Sequence, residues 1–228
     1  MELLALALAP GIAISIYIYR KDKVNKEPIS LLLMCFFAGA LCTIPAGFIQ
    51  IFLTKPLEKY FGNGIQSTLV MAYGLVAVSE ELCKFLTLRL LPFKRAHFDE
   101  PFDGIVYAVM VGMGFATLEN IFYVYQHGIS TGILRMFTAV PAHATFAILM
   151  GFYVGLAKFY RRKRTVYYFM AIVLPILFHG TYDFFLFLGK TSYHLIGAGV
   201  SLIVAIKLSQ IALKRNQEIT DKYNNRHK

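Results

Sequence analysis

Seven long apolar runs decide what this chain can fold into. They cover Leu3–Tyr19, Ile29–Thr54, Ile65–Leu91, Phe102–Tyr125, Ile133–Ala157, Tyr167–Leu188 and His194–Leu213. A helix needs about 20 mostly apolar residues to cross the hydrocarbon core of a bilayer, and each run is near that length. Backbone inside lipid must satisfy its own hydrogen bonds, and the runs are too long for barrel strands, so they predict helices. Composition agrees. Of 228 residues, 57% are hydrophobic and 16% are charged, against about 25% charged in an ordinary soluble domain. The expected fold is all-α, a polytopic transmembrane bundle of about seven spans with the lipid bilayer as its partner.

The first run follows Glu2 rather than the basic residues that open a secretory signal, so it reads as a retained span, with Pro10-Gly11 as a candidate kink. The net charge of +10 comes with no basic, aromatic-interleaved surface, so no nucleic acid is expected as a partner. Lysine and arginine instead sort by loop. With the N-terminus outside, eighteen fall in inner segments and four, Lys55, Lys59, Arg135 and Lys190, in outer ones. Cytoplasmic loops carry such an excess, so an odd number of spans with a cytoplasmic C-terminus is expected. Cys35, Cys42 and Cys83 all fall inside apolar runs and read as packing residues, not as a disulfide or metal set.

A charge at the centre of a spanning helix costs about 2.5–3.5 kcal/mol on insertion scales, so the polar residues inside the runs carry the information. The third run holds Glu80, Glu81 and Lys84; the fourth holds Glu119 and Asn120; the fifth holds His143; the sixth holds His179 and Asp183. The first, second and seventh runs have no comparable group, which suggests one shared polar interior. Glu80 and Glu81 stand four and three residues before Lys84, so both reach one ammonium. His179 and Asp183 share a helix face at i,i+4. Small residues recur at four-residue steps, Gly104, Ala108, Gly112 and Ala116 in one run and Ala147, Gly151 and Gly155 in another, with His143 on the same row. Ridges of this kind let helices approach closely and bring Glu119 towards His143.

Structural readings compete with functional ones. Glu81–Lys84 serves equally as a neutralised pair, His143 as a packing hydrogen-bonder and His179–Asp183 as an interhelical clasp. Glu119 is harder to place in that way, because its own helix offers it no cation within a turn. In the loop from His97 to Gly104, Asp99 or Asp103 is expected to cap the following helix. Intramembrane carboxylates with histidines support three chemistries. A Glu can act as general base on water in peptide hydrolysis, the same groups can hold a catalytic zinc, or they can relay ions in a transporter. No His-Glu-x-x-His run and no inverted repeat is present to favour the second or third.

The runs His97-Phe-Asp-Glu-Pro-Phe-Asp-Gly-Ile-Val-Tyr107, Gly114-Phe-Ala-Thr-Leu-Glu-Asn120 and Phe178-His-Gly-Thr-Tyr-Asp-Phe184 resemble the PrsW family. These are bacterial membrane proteases that make the first cut in an anti-sigma factor. They belong to a wider group that includes the CAAX prenyl endopeptidases, glutamate-type intramembrane peptidases. The resemblance runs from the first span through the sixth. It implies one protease domain over 1–228 in the cell membrane, with a catalytic bundle at about 65–190 and a basic cytoplasmic tail at about 214–228. It places the Glu-Glu-x-x-Lys motif on Glu80, Glu81 and Lys84, Phe-x-x-x-Glu on Phe115 and Glu119, the third motif's His on His143, and His-x-x-x-Asp on His179 and Asp183. In the CAAX relatives one Glu of the first pair activates water and the last motif forms the oxyanion hole. Those relatives carry His where this chain has Glu119, which leaves His143 as the substitute for polarising the carbonyl. The resemblance thus implies a site-1 endopeptidase acting on a single-pass anti-sigma factor without a cofactor, with a zinc enzyme built on the same residues as the alternative. Glu80 is expected about 15 residues into its helix from the outer side, roughly 22 Å, so either that helix starts later than Ile65 or a cleft reaches deep.

Overall fold

The computed structural model describes residues 2–23, 25–189 and 191–227, so Lys190 and Lys228 of the charge count lie outside it. All regular structure among the described residues is helical. The chain runs through α1 (Glu2–Lys21), α2 (Ile29–Phe61), α3 (Ile65–Leu69), a π-helical stretch (Val70–Ala77), α4 (Val78–Leu90), α5 (Asp103–His127), α6 (Ile129–Phe137), α7 (Ala139–Phe159), α8 (Arg164–Leu188) and α9 (Ser192–His227). Among the described residues, six helical segments are long and apolar enough to cross a membrane. The seventh expected run is also helical, from Ile65 to Leu90, but the π-helical stretch divides it and it carries Glu80, Glu81, Lys84 and Arg89. Pro10 sits inside an unbroken α1, and α2 passes through both Pro45 and Pro56.

The helices differ in what surrounds them. Inside the bundle, 78% of the apolar window of α5 and 83% of that of α6–α7 are buried, while the windows of α1, α2, α8 and α9 are buried by a third or less. The fourth and fifth runs are therefore the core, and α1, α2, α8 and α9 surround it with more exposed faces. The small-residue ridges explain the central pair. A Cβ on Gly104 would run into the Gly151 carbonyl, and one on Gly151 into the Gly104 carbonyl, so only glycine permits this backbone-to-backbone contact.

At the end that carries the basic loops, one expectation changes. Asp103 does not cap α5 from outside; it is the helix's first residue, and its Oδ2 accepts the Asp99 and Glu100 backbone N–H groups at 2.8 Å each. The preceding loop is thereby folded onto the helix start. The basic residues from about 214 onward continue α9, which packs back against that loop. Asn224 donates to Glu100 at 2.8 Å, and the Tyr223 ring lies 4.9 Å from Phe159. In the same region Tyr107 donates a hydrogen bond to Glu27, and Asp22, Glu27, Glu100 and Asp103 are all buried.

Candidate active site

Four helices deliver the polar residues to one place. α4 brings Glu80, Glu81 and Lys84 on its first two turns, α5 brings Glu119, α7 brings His143 near its start, and α8 brings His179 and Asp183. The third run begins at Ile65 as the sequence suggests, so the late start that would have brought Glu80 nearer the outer end does not occur. A π-helical turn is wider than an α-helical one and is often found next to functional positions. Here it ends immediately before α4 and is clamped to α8. Tyr73 O–H and Thr181 Oγ1 lie 2.8 Å apart, and a Cβ on Gly180 would strike the Tyr73 ring. Gly180 thus lets α8 lie flush with Tyr73 while its neighbour His179 turns into the cluster.

Hydrogen bonds link the groups in one chain. Lys84 Nζ donates to Glu81 Oε1 at 2.8 Å and to Glu80 Oε2 at 3.4 Å, and it stands 3.0 Å from His143 Nδ1. An ammonium has no lone pair, so His143 accepts at Nδ1 and carries its proton on Nε2, which reaches Glu119 Oε2 at 2.9 Å. His179 lies between two acceptor-only carboxylates, with Nδ1 2.8 Å from Glu81 Oε1 and Nε2 3.2 Å from Asp183 Oδ2. That pairing fits a ring protonated on both nitrogens. The rings of Phe115 and Phe146 wall the cluster: Lys84 Nζ stands 4.1 Å from the Phe115 centroid, and Phe146 stacks on His179 at 5.1 Å.

The two glutamates of the first motif are not equivalent. Glu81 is fully buried and gives one oxygen to two cations at 2.8 Å each. Glu80 is held more loosely, by Lys84 at 3.4 Å, His179 Nε2 at 3.9 Å and the neutral amide of Gln50 at 3.2 Å. Glu119, Asp183, Glu80 and Glu81 make four carboxylates, against the cations Lys84, His179 and Arg135. Counted as ionised, the carboxylates exceed the cations by one, and Glu80 is the one with the longest contacts to a cation.

Two members of the cluster escape a reading of the sequence. Arg135 counts there as an outer-loop charge, but α6 directs it inward. Its Nη2 donates to Glu119 Oε2 at 2.7 Å and its Nε to Asn120 Oδ1 at 3.0 Å. Glu119 therefore does have a cation, from a different helix. Gln50, in a span that the sequence marks as free of such groups, bonds both Ser79 and Glu80 at 3.2 Å. A single neutral amide in an apolar run gives little signal; the amphipathic pattern of Ile129–Phe137 was the available clue for Arg135.

Glu80, Glu81, His143 and His179 offer donor atoms within 4.8 Å of one another, a set of the type that binds zinc. Lys84 Nζ already stands 2.8–3.4 Å from three of those residues. The ammonium holds the position a dication would take, so in this arrangement the set does not fit a metal and Lys84 together.

Comparison with known proteins points the same way as the cluster. A family model described as PrsW family intramembrane metalloprotease matches residues 27–210. Protease PrsW of Geobacillus kaustophilus is 40% identical over 185 residues, 81% of this chain and 80% of its own. Protease PrsW of Bacillus subtilis is 39% identical over 185 residues, covering 81% and 82%. Protease PrsW of Clostridioides difficile is 33% identical over 235 residues, covering 100% and 94%. No solved structure gives a significant match.

Proposed function

Because this chain belongs to the PrsW family of intramembrane proteases, we propose that it is a glutamate-type endopeptidase in which Glu80 is the general base. The observation that supports this is the position of Lys84, whose ammonium neutralises Glu81 at 2.8 Å and leaves Glu80 with only longer contacts. A carboxylate held by two cations is a weak base, whereas one in excess of the local positive charge can take a proton. In this reading Glu80 removes a proton from water as the water adds to the scissile carbonyl carbon. The same proton then passes to the leaving amine. Glu81 fixes Lys84 and His179, Glu119 fixes His143, and Asp183 fixes His179.

The family description includes the word metalloprotease. The four donors favour that second reading by type, but it requires Lys84 to leave their centre. The substrate class is the one the resemblance implies, a single-pass membrane anti-sigma factor, cut first by this enzyme so that a later cut releases the sigma factor. The excess of basic loops supports a cytoplasmic C-terminus, which a reporter fused after Lys228 tests directly. The function is tested with purified protein and a candidate anti-sigma factor, by sequencing the new N-terminus by mass spectrometry. Cleavage by wild type and none by Glu80→Gln is expected; equal cleavage by both refutes Glu80 as the base.

A further inference from the structure

We propose that Arg135 is a catalytic residue that holds the oxyanion formed on the scissile carbonyl. The inference rests on the glutamate reading above and follows from counting donors. A tetrahedral intermediate needs N–H groups aimed at its negative oxygen. The three N–H groups of Lys84 face Glu80, Glu81 and His143. The one proton of His143 faces Glu119, and the two of His179 face Glu81 and Asp183. The amide of Gln50 serves Ser79 and Glu80. The last motif, the expected oxyanion donor, thus has both ring nitrogens engaged by carboxylates.

Arg135 differs. A guanidinium carries five N–H groups, and two of its nitrogens make the bonds to Asn120 and Glu119. Those bonds use one N–H each, which leaves three. The group is also fixed in place: the Tyr123 ring lies 3.9 Å beneath it, and Glu119 and Asn120 set its plane. It lies on the more exposed side of the cluster. Side chains of Arg135, Asp183 and Glu119 are 13%, 13% and 19% exposed, whereas those of Glu80, Glu81, Lys84, His143 and His179 are at most 6%. The spare donors thus lie on the side of the cluster that is less enclosed than the base. Water adds to the carbonyl carbon, its proton goes to Glu80, and the π electrons of the carbonyl become the oxyanion that the spare N–H groups receive. Collapse of the intermediate breaks the C–N bond, and the amine leaves with the proton from Glu80.

The test uses full-length Arg135→Lys in detergent or nanodiscs with the cleaved substrate. Lysine keeps a positive charge beside Glu119 but loses the fork of spare donors. A kcat about 100- to 1000-fold lower is expected, with KM and thermal midpoint close to wild type. A peptide phosphinate that mimics the tetrahedral intermediate should bind more weakly by a similar factor. A wild-type kcat, or a slow variant that binds the phosphinate normally, overturns the inference. A second variant guards against misfolding. Glu119→Gln combined with Arg135→Gln removes the ion pair as a unit, and it should be as slow as Arg135→Gln alone; recovery of rate would make Arg135 a mere counter-ion. If Glu80→Gln is inactive while Arg135→Lys is fully active, the glutamate reading stands and only this inference falls.

Discussion

Lys84 Nζ lies 3.0 Å from His143 Nδ1, a contact between an ammonium and a ring that would repel it if protonated. It is favourable only because His143 accepts there and Glu81 and Glu80 surround the ammonium at 2.8 and 3.4 Å. Lys84 is thus the internal cation around which the carboxylates and histidines are assembled. Lys84→Met should destabilise the protein by about 3–5 kcal/mol, because it leaves a buried carboxylate unpaired. Adding Glu81→Gln should recover much of that loss. Denaturant unfolding in detergent measures both, and an unaltered midpoint in Lys84→Met would show that the ammonium is dispensable.

The two glutamates should separate in their effects. Glu80→Gln is expected to lower kcat by about 100- to 10,000-fold, the range for loss of a general base, with a nearly unchanged thermal midpoint. Glu81→Gln should lower the midpoint as well, because Lys84 and His179 both lose an anionic partner. If both Gln variants cut substrate at the wild-type rate, neither carboxylate is the base.

How much of this was legible in the sequence follows from the physics of each signal. Charge inside an apolar run is conspicuous, so Glu80, Glu81, Lys84, Glu119, His143, His179 and Asp183 could all be picked out, and helical spacing paired those on one helix. The four-residue steps of Gly104, Gly151 and Gly155 foretold the α5–α7 contact. Arg135 had only the amphipathic pattern of its helix to mark it, because a charge near a helix end has an ordinary topological explanation and its partner Glu119 is on another helix. The π-helical stretch Val70–Ala77 was not legible, because its uniformly apolar sequence has no period to distinguish it from α-helix.

The loop end of the bundle should respond to pH. Burial raises the Asp22 carboxyl to about 6 and the Glu27 carboxyl to about 7, above their ordinary 3.8 and 4.5. Folded protein therefore holds protons that the unfolded chain has released. The stabilisation is present in full below the ordinary values and is lost as pH rises through the folded ones. Glu27→Gln is permanently uncharged, so wild type should gain thermal stability relative to this variant between pH 8 and pH 5. A difference that is flat, or that changes the other way, contradicts burial of an ionisable Glu27.

The most direct measurement is proteolytic activity after exhaustive dialysis against a strong chelator, with zinc determined on the same sample by elemental analysis. With Lys84 as the cation of the site, substrate cleavage continues at the undialysed rate and zinc is well below one ion per chain. Zinc at one ion per chain, lost together with activity and restored with it, would contradict that assignment and make Glu80, Glu81, His143 and His179 ligands.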